Sequence, residues 1–162
     1  AIGFAETAVL ADSPAAEAYR ASYAGPGGAP PAVVPCDVAT SDVWFSGALL
    51  SSAFADYTRL LTNGSGTYCT TAQEDNATLE ALLRGAMDKR VDFSRIVVMR
   101  TASDFDRPFP GESPQANLFE GDRQGAFEPA VKNLYLAGVK VVEGILGEWE
   151  SLEALREIRL VG

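Results

Sequence analysis

Apolar residues recur at spacings of three and four from Phe127 to Trp149. Phe127, Val131, Leu134, Gly138, Val141 and Ile145 share one face, while Lys132, Lys140 and Glu143 fall elsewhere, which predicts an amphipathic helix. Pro129 sits near its start, where a missing N–H costs least. Ala48 to Leu61 and about Asp75 to Met87 carry weaker helical stripes, the second through Leu79, Leu82 and Leu83. Ser13-Pro14 reads as an N-cap followed by proline at the first helical position, so a helix is predicted over about 14–23. Between these lie short strand candidates: Ala32 to Cys36, weakened by Pro35, and Thr67 to Thr71. The clearest strand is about Ser94 to Arg100. Its Ile96-Val97-Val98-Met99 run lacks alternation, as a strand covered on both faces should. Polar residues follow at once: Arg100, Thr101, Ser103, Asp104, Asp106 and Arg107, predicted as a ligand-facing loop. Gly25 to Pro31 and Asn63-Gly64-Ser65-Gly66 read as turns, and Pro108 to Gly125 as one long loop of the kind that serves as a lid or binding loop. Ser151 to Leu160 reads as a short helix or a tail. Helices alternating with short apolar strands predict an α/β domain.

Composition narrows the chemistry. The chain has 162 residues, enough for one domain with a core. It carries 22 acidic and 13 basic residues, a net charge of −9, so the basic footprint that a phosphate backbone requires is missing and nucleic acid is excluded as a generic partner. Histidine is absent, which removes the commonest general base and zinc ligand. Cys36 and Cys69 are the only cysteines; they could pair, but two separate buried thiols are the commoner outcome. No apolar run reaches the roughly 20 residues of a membrane helix. The opening Ala1-Ile2-Gly3-Phe4, without methionine or a signal-peptide pattern, reads as the start of a processed protein or a fragment. Glycine-rich phosphate loops and calcium loops are absent, so no metal or cofactor is expected.

In open α/β sheets, ligands bind beyond the carboxyl ends of the strands. Three strand ends here run into small polar residues: Ala39-Thr40-Ser41-Asp42 with Trp44-Phe45, Thr70 to Asn76, and Thr101-Ala102-Ser103-Asp104. Brought together, they would line a pocket suited to a small polar, partly aromatic ligand. Each group also has a structural reading. Asp104 could cap the next element, and Asp75 or Asn76 could cap the helix that follows. Glu74 could be a solvated residue at a helix start. Trp44 or Phe45 could be core, and Arg100 and Arg107 could be ion-pair partners of Asp104 and Asp106.

The blocks Cys36 to Gly47, Thr71 to Leu79 and Arg95 to Pro108, continued by 125–149, resemble the purine nucleoside permease family and, more distantly, the nucleoside phosphorylase and nucleosidase superfamily. The resemblance implies a partial phosphorylase-like three-layer α/β domain, with a central mixed or mostly parallel sheet flanked by helices. Residues 1–150 would be its C-terminal portion and 151–162 an atypical tail. It implies purine nucleoside binding linked to nucleoside uptake. The alternative is a nucleosidase or phosphorylase that cleaves the N-glycosidic bond, with the rest of the site in N-terminal residues outside this chain. Within Arg100-Thr101-Ala102-Ser103-Asp104, the implied role of Asp104 is to contact and protonate the purine, while Trp44 or Phe45, after Asp42, packs on the base. The family's ribose-binding carboxylate falls at Asn76, preceded by Asp75, with Glu74 matching an earlier glutamate of that motif. An amide there cannot accept from two hydroxyls as a carboxylate does. The resemblance further implies phosphate as a co-substrate in the enzymes, a homo-oligomer, and an extracellular, periplasmic or cell-surface setting.

Overall fold

The computed structural model describes residues 1–152. Six α-helices are assigned among them: α1 (Ile2–Ala5), α2 (Pro14–Arg20), α3 (Ala48–Leu61), α4 (Asp75–Met87), α5 (Pro114–Phe119) and α6 (Phe127–Gly147). Two strands, β1 (Asp37–Thr40) and β2 (Tyr68–Ala72), pair in parallel, with α3 as the crossover between them. The result is a helix-rich α/β arrangement around a small parallel sheet, as the alternation of elements predicts.

Local chemistry explains most boundaries. Ser13 accepts a hydrogen bond from the Ala16 N–H at 3.0 Å, and Pro14 opens α2, as read from the sequence. Helices α3, α4 and α6 begin and end within two residues of their predicted limits. The predicted loop 108–125 is not structureless. Ser113-Pro114 repeats the Ser-Pro helix start, and the Ser113 hydroxyl accepts from Ala116 N–H at 3.1 Å to open α5. A 3₁₀ turn at Gly121–Gln124 follows.

The sheet departs from expectation in two places. The first strand lies at Asp37–Thr40, not at 32–36. Pro35 has no N–H to give a ladder, whereas Asp37 does: its N–H donates to the Thr67 carbonyl at 2.7 Å, and its Oδ2 accepts from Thr67 N–H at 2.7 Å. The second departure is larger. The apolar run at 96–99 is not a strand: Phe93–Arg95 forms a 3₁₀ turn, Ile96 after it is extended, and the residues beyond join no ladder. Val97 and Val98 are about half exposed. An apolar run specifies a strand only where neighbours exist to pair with it.

Cys36 and Cys69 are joined, with Cα atoms 5.9 Å apart, so the expectation of two separate thiols is corrected. Their bond ties the start of β1 to β2 where only a two-stranded ladder holds them. The buried core is small. Ala5, Ala137 and Val141 form its centre, and Phe4, Leu10, Val33, Met99 and Ile145 pack around it. Helix α1 lies close on α6 because Gly144 leaves room for the Phe4 ring; a Cβ there would stand 2.4 Å from that ring. Buried Asn133 clamps the chain entering α2, accepting from Ala11 N–H at 2.6 Å and donating to the Ala11 carbonyl at 2.9 Å. The buried face of α6 therefore runs through Ala130, Asn133, Ala137 and Val141. Phe127, Val131 and Leu134, predicted to face the core, are exposed. The predicted segment 151–160 lies almost wholly outside the described residues.

Candidate functional site at the carboxyl ends of the parallel strands

Parallel pairing places the carboxyl ends of β1 and β2 side by side, and Thr40 is in register with Ala72. The chain leaving β2 turns directly into α4. Its first turn is held against the chain leaving β1: Asn76 N–H donates to Thr40 Oγ1 at 3.0 Å, and Asn76 Nδ2 donates to Asp42 Oδ1 at 2.8 Å. Arg100 closes the same corner from the extended segment. Its Nη1 donates to Glu74 Oε1 at 2.9 Å and its Nε to Asp75 Oδ2 at 3.0 Å, with Nη2 on the other Asp75 oxygen. This fork engages both oxygens of one carboxylate, a geometry suited to arginine.

Asp42, Glu74, Asp75, Asn76 and Arg100 are thus brought together, Arg100 from a segment that is not a strand. Their partners differ from those expected. Arg100 pairs with Glu74 and Asp75 rather than Asp104. Glu74 is exposed; its own backbone N–H and then the charge of Arg100 hold its carboxyl below the usual range. Asp75 is 6% exposed and serves the ion pair. Asn76 and Asp42 are exposed, and neither Asn76 Oδ1 nor Asp42 Oδ2 accepts a hydrogen bond among the described residues.

The aromatic pair divides. Phe45 stacks on Phe54 with ring centroids 3.9 Å apart and planes 7° from parallel, so it is spent on packing. Trp44 is 62% exposed and has no ring partner among the described residues. Ser103 Oγ donates to Asp104 Oδ1 at 2.7 Å, and Asp104 stays exposed. The structure forms no bond between Asp104 and the Arg100 corner among the described residues, so these two parts of the predicted set are not joined by direct contact.

What holds the Asp104 loop is a cluster that spacing alone does not reveal. Phe105 N–H donates to Gln124 Oε1 at 2.7 Å, and the Phe105 ring stacks on Tyr23 with centroids 3.8 Å apart. Tyr23 Oη donates to the Arg107 carbonyl at 2.8 Å. Asp106 turns inward. Its carboxylate accepts from Arg107 Nε at 3.0 Å and from the Tyr68 hydroxyl, while its carbonyl accepts from Gly47 N–H at 2.8 Å and Ser51 Oγ at 3.1 Å. Gly47 takes a φ of +91°, a conformation open to glycine and strained for other residues. Burial pushes the Asp106 carboxyl up, but bonds from Arg107 and Tyr68 outweigh it and hold the carboxyl below its usual range. Burial, and then Asp106 itself, pushes the Tyr68 phenol up.

Both shifts have a sign that can be checked. A lowered carboxyl contributes stability above the ordinary aspartate value of about 3.9, lost as pH falls through the folded value. A raised phenol contributes below about 10, lost as pH rises through its folded value. Tyr68→Phe is expected to cost about 1.5–3 kcal/mol, as for a hydrogen bond to a charged group. It should also move acid unfolding to higher pH, because Asp106 loses a donor. Urea melts followed by circular dichroism between pH 3 and 7 read both effects; an unchanged acid limb would remove Tyr68 from the cluster's energetics.

Comparison with known proteins now gives the class. The chain belongs to the purine nucleoside permease family, whose model matches residues 1–154. It is 46% identical over 122 residues to a purine nucleoside permease of Candida albicans, covering 75% of this chain and 30% of that protein. It is 39% identical over 142 residues to a probable purine nucleoside permease of Schizosaccharomyces pombe, covering 87% of this chain and 40% of that one. The chain therefore spans about a third of the length of these curated relatives. No solved structure matches it.

The uptake role implied by the resemblance, and transport with it, is corrected. Among the described residues no helix is long and apolar enough to cross a membrane. The one of sufficient length, α6, carries Glu128, Lys132, Lys140 and Glu143. Residues in a hydrocarbon span would have to bury such charges at a cost of about 2.5–3.5 kcal/mol each near its centre.

Proposed function

We propose that this chain supplies the base- and sugar-facing part of a site that cleaves the N-glycosidic bond of purine nucleosides. The remainder of the site comes from family sequence beyond the third of the relatives that it spans. The observation that carries the reading is the corner at the carboxyl ends of β1 and β2. There Asp42 and Asn76 are bonded together, each with an open oxygen acceptor, while Arg100 fixes the turn beneath them. Asp42 supplies the carboxylate that position 76 lacks. Its Oδ2 and Asn76 Oδ1 accept from the two ribose hydroxyls, sharing a task one glutamate would perform. Trp44, with its ring open, stacks on the base. Asp104, oriented by Ser103 Oγ, donates a proton to a purine ring nitrogen as the C–N bond breaks, so that the base leaves neutral. Water or phosphate is the nucleophile at the sugar. The bridged cysteines accord with an oxidising, cell-surface or extracellular setting.

Two substitutions separate these roles. Asp104→Asn in the full-length protein is expected to lower the rate of base release about 10²–10⁴-fold, the usual contribution of a positioned acid, with the circular dichroism spectrum unchanged. Asp42→Asn is expected to act on KM, since it weakens sugar binding in ground and transition states alike. Chromatographic assay of free base from inosine and adenosine gives both. An Asp104→Asn protein of full activity would refute the assignment of the acid, and one that fails to fold would make Asp104 a structural residue.

A further inference from the structure

The chain exposes 11306 Å² of surface. A folded monomer of 17.2 kDa exposes about 7,800 Å². Crediting residues 153–162 with all the area of an unfolded chain accounts for about 1,600 Å² of the difference and leaves about 1,900 Å². A standard interface buries about 800 Å² per partner, so the excess belongs to the size class of a divided core.

Its location is specific. Helix α6 is apolar on two sides. One side covers α1, while Phe127, Val131, Tyr135, Val142 and Leu146 form an open stripe along the other. A helix apolar on both sides is normally sandwiched. The second open feature is the extended segment leading to the candidate site. Val97 and Val98 are 51% and 49% exposed. Among the described residues, the backbone of 97–101 makes no hydrogen bond. Met99 rests against Gly138 of α6, so the unpaired edge and the α6 helix are adjacent. Unpaired backbone beside apolar surface is the template for strand addition.

We infer that Val97–Thr101 is a sheet strand waiting for its neighbour, and that the occupant is the companion part of a purine nucleoside permease polypeptide, which adds a strand along 97–101 and covers the open stripe of α6. The match leaves 70% of the Candida relative outside it, enough chain to do both at once. A second copy of this chain would offer, among its described residues, only the same segment or an outer edge of the short β1–β2 pair, of four and five residues. Arg100 and Asp104 sit on and just beyond this segment, so pairing it would also fix the site's polar end.

The test is a chimera in which the matching 122 residues of the Candida relative are replaced by the aligned residues of this chain. Hydrogen exchange of the 97–101 amides, read by mass spectrometry in the isolated chain and in the chimera, needs no nucleoside turnover. Failure here is therefore distinct from failure of the catalytic reading. The expected result is exchange near the unstructured rate in the isolated chain and slowing of at least ~100-fold in the chimera, as for an ordered ladder. Val131→Glu with Tyr135→Lys should abolish cooperative melting of the chimera and leave the isolated chain's helical signal unchanged. Free exchange of 97–101 in the folded chimera would overturn the inference. So would protection in the isolated chain with a dimeric mass by light scattering, which would make a second copy the occupant, and so would a chimera indifferent to the two substitutions.

Discussion

Replacing Cys36 and Cys69 together by serine is expected to lower the stability of the fold by about 3–4 kcal/mol. The bond closes a separation of 33 residues, and the chain-entropy cost it removes from the unfolded state grows slowly with that length. The loop contains all of α3, and the bond ties β2 back to the start of β1. Two short strands alone make a marginal sheet, so the covalent tie holds a register that only a few ladder bonds support. The parallel register also positions the candidate site, because it sets Thr40 and Asp42 beside the first turn of α4. Loss of the bond should therefore weaken nucleoside binding as well as stability. Thermal melts of the oxidised, dithiothreitol-reduced and doubly substituted proteins measure the effect, and the two disulfide-free states should agree. Equal melting of oxidised and reduced protein would show that the bond carries no stability.

The second large effect is expected at Arg100. Arg100→Met leaves the Asp75 carboxylate without its two charged donors, and the Asp75 side chain is only 8% exposed. Breaking a wholly buried pair costs about 3–5 kcal/mol. The Arg100 side chain is 31% exposed, so solvent screens part of that cost, and about 2–3 kcal/mol is expected here. Most of it is the penalty of one stranded charge. Arg100→Met combined with Asp75→Leu should accordingly recover most of the loss, since an apolar pair replaces an ionic one at little net cost. Urea melts of the single and double variants complete the cycle. A double variant as unstable as Arg100→Met alone would mean that Arg100 acts through something other than Asp75.

Much of the fold is legible because local signals decide it. Ser13-Pro14 starts α2, and the apolar stripes of α3, α4 and α6 set those helices, since capping and periodicity act within a few residues. Ser113-Pro114 carries the same signal inside a stretch rich in proline and glycine, and that composition hides it. The sheet is less legible. Asp37–Thr40 lacks apolar alternation and is a strand because Thr67 and the disulfide place a partner beside it. Ile96–Met99 has the composition of a buried strand and lacks a pairing neighbour here. Non-local pairing decides both cases, and periodicity does not encode it.

The site follows the same division. The strand-end rule points to Asp42, Glu74, Asp75 and Asn76 because parallel strands direct their carboxyl ends the same way, and Arg100 reaches the same corner from a segment that is not a strand. It leaves open which aspartate Arg100 would choose. Asp75 takes that place because α4 begins with its carboxylate facing the extended segment. Trp44 and Phe45 are equivalent in sequence, and only Phe54 separates them by claiming Phe45. The anchoring of the Asp104 loop by Tyr23, Gln124 and Tyr68 spans long separations that no local pattern marks.

The most direct measurement is the release of free purine from inosine and adenosine by the full-length protein, with and without phosphate. The proposed site predicts free base in amounts that exceed the protein many times over, with ribose 1-phosphate appearing if phosphate is the nucleophile and free ribose if water is. Nucleoside recovered intact after prolonged incubation, from protein shown by calorimetry to bind it, would contradict the account.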